Sequence, residues 1–515
     1  MYQALFLQDR KLHLSLAVFP KKIPPEVQRI VVCNGCDANY YPITLQTQRV
    51  GVKMSQDTTT SVKSKTIIDA VQPTEDTLSS RGGLSLVARF VRHGGWLEQI
   101  ASGFTGLRKS RKGQPVDEVF KQLICFFFDG TRRHLVHFDH LKNDAGHAAV
   151  IEAEPGQMLS SHAVKRFFMA FRQHHLPKFR ELLRHWFTAE LCAEKPAVII
   201  LGLDSVVLDN DEALKREGVH PTYRKVKGFE PLQLSWGRQV VDVQFRSGSR
   251  HSNHGEDAFW MIQRAVRAIR ASYREDVPII VRMDAGFLDQ AIFEWCEAEQ
   301  VGYICGGKLY ADIKATAAGI APNLWSRFER PGQVWQYVEW ADRRGSWKRF
   351  RRAIFCRPFY EGRQMLMDFA RPDNLIYTNL GMGLPLDQEL RAAGRTDLLA
   401  AAAIIQCYHE RGSDELVHRA FKDFGFEQLP FQRFVANAAF YYVMMLSFVL
   451  FELFKQRVCA PVIPVTAYAS SLRRRLIDMA AKIVRHGGRV ILKVPRAVYE
   501  HLNFERLWQN TAAAG

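Results

Sequence analysis

Hydrophobic and polar positions divide the chain into stretches of different period. Residues 1–80 hold only short β-like runs, 12–19 and 29–32, and a Thr- and Ser-rich stretch over 56–65 that reads as a linker. From Gly82 the pattern turns helical, with Leu84, Leu86, Val87, Phe90 and Val91 near i, i+3, i+4 spacing and a second apolar block over 120–128. Another helix is expected from 160 through His185, with Ser161 as its N-cap.

The period then shortens. Residues 197–208 are a nearly continuous apolar run, as in a buried strand, with Asp204 in the middle of it. Burying an aspartate there is costly unless it is paired or bound to metal. The runs 231–236 and 239–246 flank Gly237 and Arg238 and predict a hairpin. A helix over 257–273 follows, with Phe259, Ile262, Val266, Ile269 and Tyr273 on one face. Residues 277–284 form a second buried strand that ends on Asp284, and Gly286 lets the chain turn away. A helix over 288–300 and a strand over 301–305 complete the order β-β-β-α-β-α-β. Three antiparallel strands are followed by right-handed crossovers to parallel ones, an α/β mixed sheet.

Residues 310–390 read as a β-rich insertion, aromatic and basic, with strand-like alternation over 335–340, 347–352 and 374–379 and a turn at Arg343, Arg344 and Gly345. Arginine and tryptophan on such a surface suit phosphate contact and stacking on an unpaired base, or else an edge sheet whose aromatics pack on the core. The stretch 407–422 is expected as one helix. Tyr408, Arg411, Glu415 and Lys422 would then share an arc of ~60° at ~100° per residue. Taken alone, that face is equally a solvated helix with an Arg411–Glu415 ion pair. Residues 434–453 are apolar apart from Asn437, Ser447 and Glu452 and have about the length of a bilayer span. Isolation, Asn437 and the preceding amphipathic helix favour a buried core helix. Residues 471–496 are basic, with a turn at Gly487 and Gly488.

Composition narrows the class. Lysine plus arginine is 70 against 53 aspartate plus glutamate, a net charge of +17, which suits a polyanionic partner, nucleic acid first. The basic stretches 165–184, 343–352 and 473–496 are candidates for phosphate contact. Nine cysteines, mostly in apolar runs, read as reduced and intracellular. Cys33 and Cys36 have zinc-knuckle spacing, but no second pair follows closely. No secretion signal is evident at the start.

The β-β-β-α-β-α-β order resembles that of ribonuclease-H-like nucleases, whose first strand, fourth strand and late helix carry acidic residues. Those positions here hold Asp204, Asp284 and Glu415. Three carboxylates on one core can hold two divalent ions ~3.5–4 Å apart, and oxygen ligands suit Mg²⁺ or Mn²⁺. The spacing Tyr408-x2-Arg411-x3-Glu415-x6-Lys422 matches the Tyr-Arg-Glu-Lys signature of DDE-type bacterial insertion-sequence transposases. Asp284-Ala-Gly286-Phe287 matches that class's second-aspartate motif, and Tyr377-Thr-Asn379 looks like the strand leading back from its β insertion. The resemblance covers roughly residues 80–510.

The resemblance implies a DNA transposase that cuts transposon ends and joins them to target DNA. Asp204, Asp284 and Glu415 would be catalytic metal ligands for two Mg²⁺ or Mn²⁺ ions. Tyr408, Arg411 and Lys422 would contact DNA, and a tryptophan among Trp325, Trp335, Trp340 and Trp347 would stack on a flipped base. Asp209 or Asp211 is an alternative to Asp204. The partners implied are transposon terminal inverted repeats and target DNA, in a homodimer or higher synaptic complex, cytoplasmic and nucleoid-associated, with no membrane. Competing readings are a ribonuclease-H-like nuclease without strand transfer and a non-catalytic DNA-binding protein on the same scaffold. The expected organisation is an N-terminal extension (1–80), a helical DNA-binding region (81–190), a catalytic domain (191–309 and 391–460) interrupted by the insertion (310–390), and a basic C-terminal region (461–515).

Overall fold

The computed structural model describes residues 70–107, 113–213, 215–250, 253–330, 333–359, 373–460 and 462–513, with Ile68 and two short strands, His13–Leu14 and Val32–Cys33, before them. The side chains of Pro155, Arg330, Gln333 and residues 413–415 lie outside that description, as does the Cys33–Cys36 spacing. The chain divides into two units, 1–74 and 75–515. In the first, the two short strands pair antiparallel.

The second unit begins with helices α1 (Leu84–His93), α2 (Trp96–Gly103), α3 (Val116–Asp129), α4 (Ser161–Met169) and α5 (Leu176–Glu194). The N-cap of α4 is Ser160, one residue before the expected Ser161: the Ser160 hydroxyl accepts from the Ala163 N–H, while Ser161 donates to Asp139 at 2.6 Å. Residues 170–175 break the expected helix in two. Phenylalanines of α3 and α4 interlock with those of the long helix 434–454, as in the edge-on pair Phe127–Phe440 at 5.3 Å.

Nine strands make the central sheet. They are β1 (Ile199–Ser205), β5 (Leu232–Trp236), β6 (Gln239–Gln244), β7 (Ile279–Met283), β8 (Gly302–Gly307), β9 (Ser326–Arg330), β10 (Gln333–Asp342), β11 (Arg351–Phe359) and β12 (Asn374–Thr378). The numbers β2 (Leu208–Asp209), β3 (His220–Pro221) and β4 (Lys227–Phe229) belong to a small separate sheet. The large sheet runs β9-β10-β11-β12-β8-β7-β1-β5-β6. Strands β1, β5 and β6 are antiparallel, and β7 and β8 lie parallel to β1, the order that the hydrophobic pattern predicts. Two helices, α6 (Asp257–Ser272) and α7 (Gln290–Ala298), make the crossovers.

The insertion is not a separate layer. It continues the same sheet, with β12 pairing antiparallel to β8. Its aromatics largely obey the packing alternative: Trp335 and Trp347 are buried, and Trp325 and Trp340 pack against the same core as Trp347. Side-chain alternation gives the sheet two faces. Ile279, Val281 and Met283 meet α6 and α7, whereas Ile280 packs against α8 (Ala401–His409).

The expected single helix over 407–422 is interrupted. Helix α8 ends at His409, residues Glu410–Ser413 form a tighter 3-10 turn, and α9 (Asp414–Phe424) follows. Gly412, a poor helix former, sits in that turn. The arc computed for an uninterrupted α-helix does not apply across it, since a 3-10 turn advances ~120° per residue. Helix α10 (Phe434–Phe454) is the core helix expected, with its apolar window 83% buried. Asn437 inside it bonds both the N–H and the carbonyl of Phe431, which offsets its desolvation.

Candidate active site

Leu203 of β1 and Met283 of β7 are register partners in the parallel pair. The residues that follow them, Asp204 and Asp284, therefore stand at the same level of adjacent strands, whose axes lie ~4.8 Å apart. By alternation both belong to the face that α8 covers. Cys305 of β8 pairs with Met283, so Gly306 is the next neighbour in the row. Asp204, Asp284 and Gly306 thus lie side by side at the ends of three parallel strands.

Each aspartate has one oxygen held by backbone. Asp204 Oδ1 accepts from the Ser205 N–H at 2.8 Å, and Asp284 Oδ1 accepts from the Gly286 N–H at 2.8 Å as it caps a short 3-10 turn. Asp204 Oδ2 faces a cation and a ring: Arg411 Nη1 at 3.5 Å and His418 Nδ1 at 3.9 Å. Burial first, and then Lys422, Arg224 and Arg411, push the His418 imidazole down to about 4. It is neutral near pH 7, so its contact with Asp204 is not an ion pair.

Tyr408 reaches the same row. A Cβ on Gly306 would come to 2.5 Å from the Tyr408 hydroxyl and 2.8 Å from the Ala285 nitrogen. Only glycine leaves room for the phenol beside the Asp284 backbone. Burial, against the pull of Arg411, pushes the Tyr408 phenol up to about 12, so it stays a hydrogen-bond donor. Arg282, one turn of the pleat before Asp284, donates to the Cys407 carbonyl at 2.9 Å and pins the end of α8 to β7.

Residues 62–514 match the family model described as Transposase DDE domain group 1. The chain belongs to this DDE transposase family. Among solved structures it is similar to one described as a cryo-EM structure of the piggyBac transposase synaptic complex with hairpin DNA. That likeness has 10% identity, covers 85% of this chain and 87% of that one, and has a TM-score of 0.35, too low for comparing sites. No curated protein sequence matches.

The transposase brings Asp204, Asp284, Tyr408 and Arg411 together. Glu415 is the second residue of α9, one helical turn before His418 and two before Lys422; its side chain lies outside the described residues. Among the described residues no group of three or more His, Cys, Asp or Glu is placed to hold a metal ion. Lys422 is not on Asp204: it pairs with Glu427 at 2.8 Å, and the same carboxylate accepts from the Asp209 N–H. Asp209 and Asp211 hold the small sheet, accepting from the N–H groups of Asp211 and Lys227 respectively.

The basic stretches divide. Arg180 and Arg184 both bind the fully buried Asp242 at 2.7 Å, Arg351 binds Glu297 at 2.7 Å, and Arg473 donates to the carbonyls of Phe127, Phe128 and Phe424. These cations are structural, while Lys165, Arg166, Arg172, Lys348 and Arg349 are exposed. Sequence reasoning missed Arg282 and His418. The signals were a lone cation inside an apolar strand and a histidine at i+7 from Arg411.

Proposed function

We propose that this transposase cuts transposon ends and joins them to target DNA by two-metal-ion phosphoryl transfer, as a bacterial insertion-sequence enzyme of the Tyr-Arg-Glu-Lys type. The observation that carries the reading is the register that sets Asp204 beside Asp284 with Arg411 on the Asp204 carboxylate.

The donor set fits a hard divalent cation. Two adjacent carboxylates, each steadied through one oxygen by a backbone N–H, offer only oxygen ligands, and Glu415 begins the helix whose next turn touches Asp204. Asp204, Asp284 and Glu415 would hold two Mg²⁺ or Mn²⁺ ions. Such ions lower the pKa of an attacking water or 3′-hydroxyl and stabilise the leaving oxygen.

The remaining work belongs to this chain's side chains. Arg411 neutralises Asp204 while DNA is absent, and its fork can turn to grip a phosphate through two parallel bonds. Tyr408, a neutral donor over Gly306, hydrogen-bonds the same backbone. Lys422, further along α9, exchanges Glu427 for a phosphate of the end strand. Arg282 fixes where these groups hang relative to Asp284. Exposed cations away from the site supply long-range affinity in a synaptic complex of two or more copies on nucleoid DNA.

The test separates joining from cutting. An oligonucleotide with a pre-cut transposon end and a supercoiled target are incubated with the full chain in Mg²⁺. Joined products are expected, and Glu415→Gln should abolish both joining and cutting of an uncut end while DNA affinity stays. Cutting without joining would favour a nuclease, and normal cutting by Glu415→Gln would exclude that residue as a ligand.

A further inference from the structure

The connection between β1 and β5 is longer than a hairpin needs. Ser205 pairs with Leu232 and Asp204 with Gln233, so the chain leaves and re-enters the sheet at the level of Asp204. The intervening chain builds the small sheet of β2, β3 and β4, in which β3 and β4 form a hairpin of their own.

The base of that hairpin is rigid. A Cβ on Gly228 would strike the Leu208 carbonyl, and one on Gly248 would strike the carbonyls of Gly228 and His220. Phe229 is fully buried, and the loop after α9 is tied to the sheet by Asn210, which donates to the Glu427 carbonyl at 2.8 Å and accepts from the Leu429 N–H at 2.9 Å. The hairpin and α9 are therefore mounted on one frame.

The tip carries Tyr223, Arg224 and Lys225, all exposed, with Lys227 just beyond. Thr222 accepts from the Lys225 N–H at 3.0 Å and donates to the Val226 carbonyl at 2.9 Å, a three-residue loop. The last position of such a loop is left-handed and favours glycine. Here it is Lys225, with φ of +62°. Arg224 Nε lies 3.2 Å from the Tyr223 hydroxyl, which orients the guanidinium. Among the described residues no carboxylate pairs with Arg224, Lys225 or Lys227. Tyr223 lies within electrostatic reach of Asp204, and Arg224 within reach of His418.

We propose that the hairpin His220–Phe229 is a second wall of the DNA channel, whose Tyr223, Arg224 and Lys225 grip the backbone of the strand that crosses Asp204, facing Arg411 and Lys422 on the other wall. The inference rests on the transposase reading and adds an element that the catalytic signature does not contain. Its charges are presented on a pre-ordered turn, so little conformational freedom is lost on binding.

Lys225→Gly is the informative variant, because glycine suits the left-handed position and the side chain is removed with its charge without straining the turn. Binding of the full chain to a fluorescently labelled duplex bearing the sequence that flanks its gene is measured in EDTA across a salt series. The expected result for Lys225→Gly is a melting temperature equal to or above that of the parent, about fivefold weaker binding, and a log K against log salt slope smaller by ~0.9. Arg224→Ala with Lys225→Gly should lower the slope by ~1.8. A folded double variant with unchanged affinity and slope, beside a parent that binds with steep salt dependence, would overturn the hairpin's role and leave the transposase reading standing. A parent that binds no DNA would overturn both.

Discussion

Asp204 and Asp284 are neighbours because Leu203 and Met283, the residues before them, face each other across two parallel strands. The register is set by burial: Ile199, Leu201 and Leu203 on β1 and Ile279, Val281 and Met283 on β7 share one core. A slip of one residue would send every one of these side chains to the wrong face. The placement of the two carboxylates is thus a by-product of packing on the opposite side of the sheet.

Arg411 occupies the Asp204 carboxylate at 3.5 Å, so it competes with any cation that binds there. Arg411→Ala should tighten Mn²⁺ binding by the DNA-free protein about fivefold, equivalent to the ~1 kcal/mol that a charge pair at ~4 Å is worth in water. The same variant should slow cutting of an end-containing duplex, and Arg411→Lys should restore part of the rate because its single ammonium cannot form two parallel bonds. Calorimetry beside cleavage kinetics decides it: joint loss of metal and cutting, or cutting at the parent rate, would remove the phosphate-gripping role.

Gly306→Ala probes the seat of Tyr408. The new methyl would crowd the phenol and the Ala285 nitrogen, costing ~1–3 kcal/mol of stability and displacing the hydroxyl. Cutting should fall as far as in Tyr408→Phe, and the two changes together should cost less than their sum. Fully additive effects on the cleavage rate would show that Gly306 and Tyr408 act separately.

Much of this arrangement was legible in the chain. The apolar run ending in Asp284, the β-hairpin around Gly237, and the crossovers all follow from periodicity, whereas Asp204, read as the middle of its run, stands one residue before the end of β1. The broken helix was not, because nothing local to Glu410–Ser413 distinguishes a tightened turn from a continuous helix except Gly412. Nor could charge alone tell Arg180, sunk on Asp242, from an exposed phosphate-binding cation such as Lys165. The partner lies far away in sequence, and burial is a property of the assembled fold. The same holds for Trp335, whose buried ring packs 4.5 Å from His409.

Asp242 gives that distinction a measurable consequence. Two guanidiniums meet on its fully buried carboxylate. Asp242→Ala should lose about 3–5 kcal/mol, the cost of stranding buried charge. Chemical denaturation reads this directly, and the DNA-binding salt slope of the folded fraction should stay unchanged. Undiminished stability with weaker DNA binding would return Arg180 and Arg184 to the DNA-contacting surface.

We propose that Asp204, Asp284 and Glu415 hold two divalent cations between them, and Fe²⁺-directed backbone cleavage reads that arrangement. Fe²⁺ accepts oxygen ligands of the kind that hold Mg²⁺, and with ascorbate and peroxide it cuts the chain beside its ligands. Cuts are expected near residues 204, 284 and 415 that Mg²⁺ suppresses and that Asp204→Asn abolishes at all three places. Cuts confined to one of these segments, or clustered elsewhere and indifferent to Mg²⁺, would contradict it.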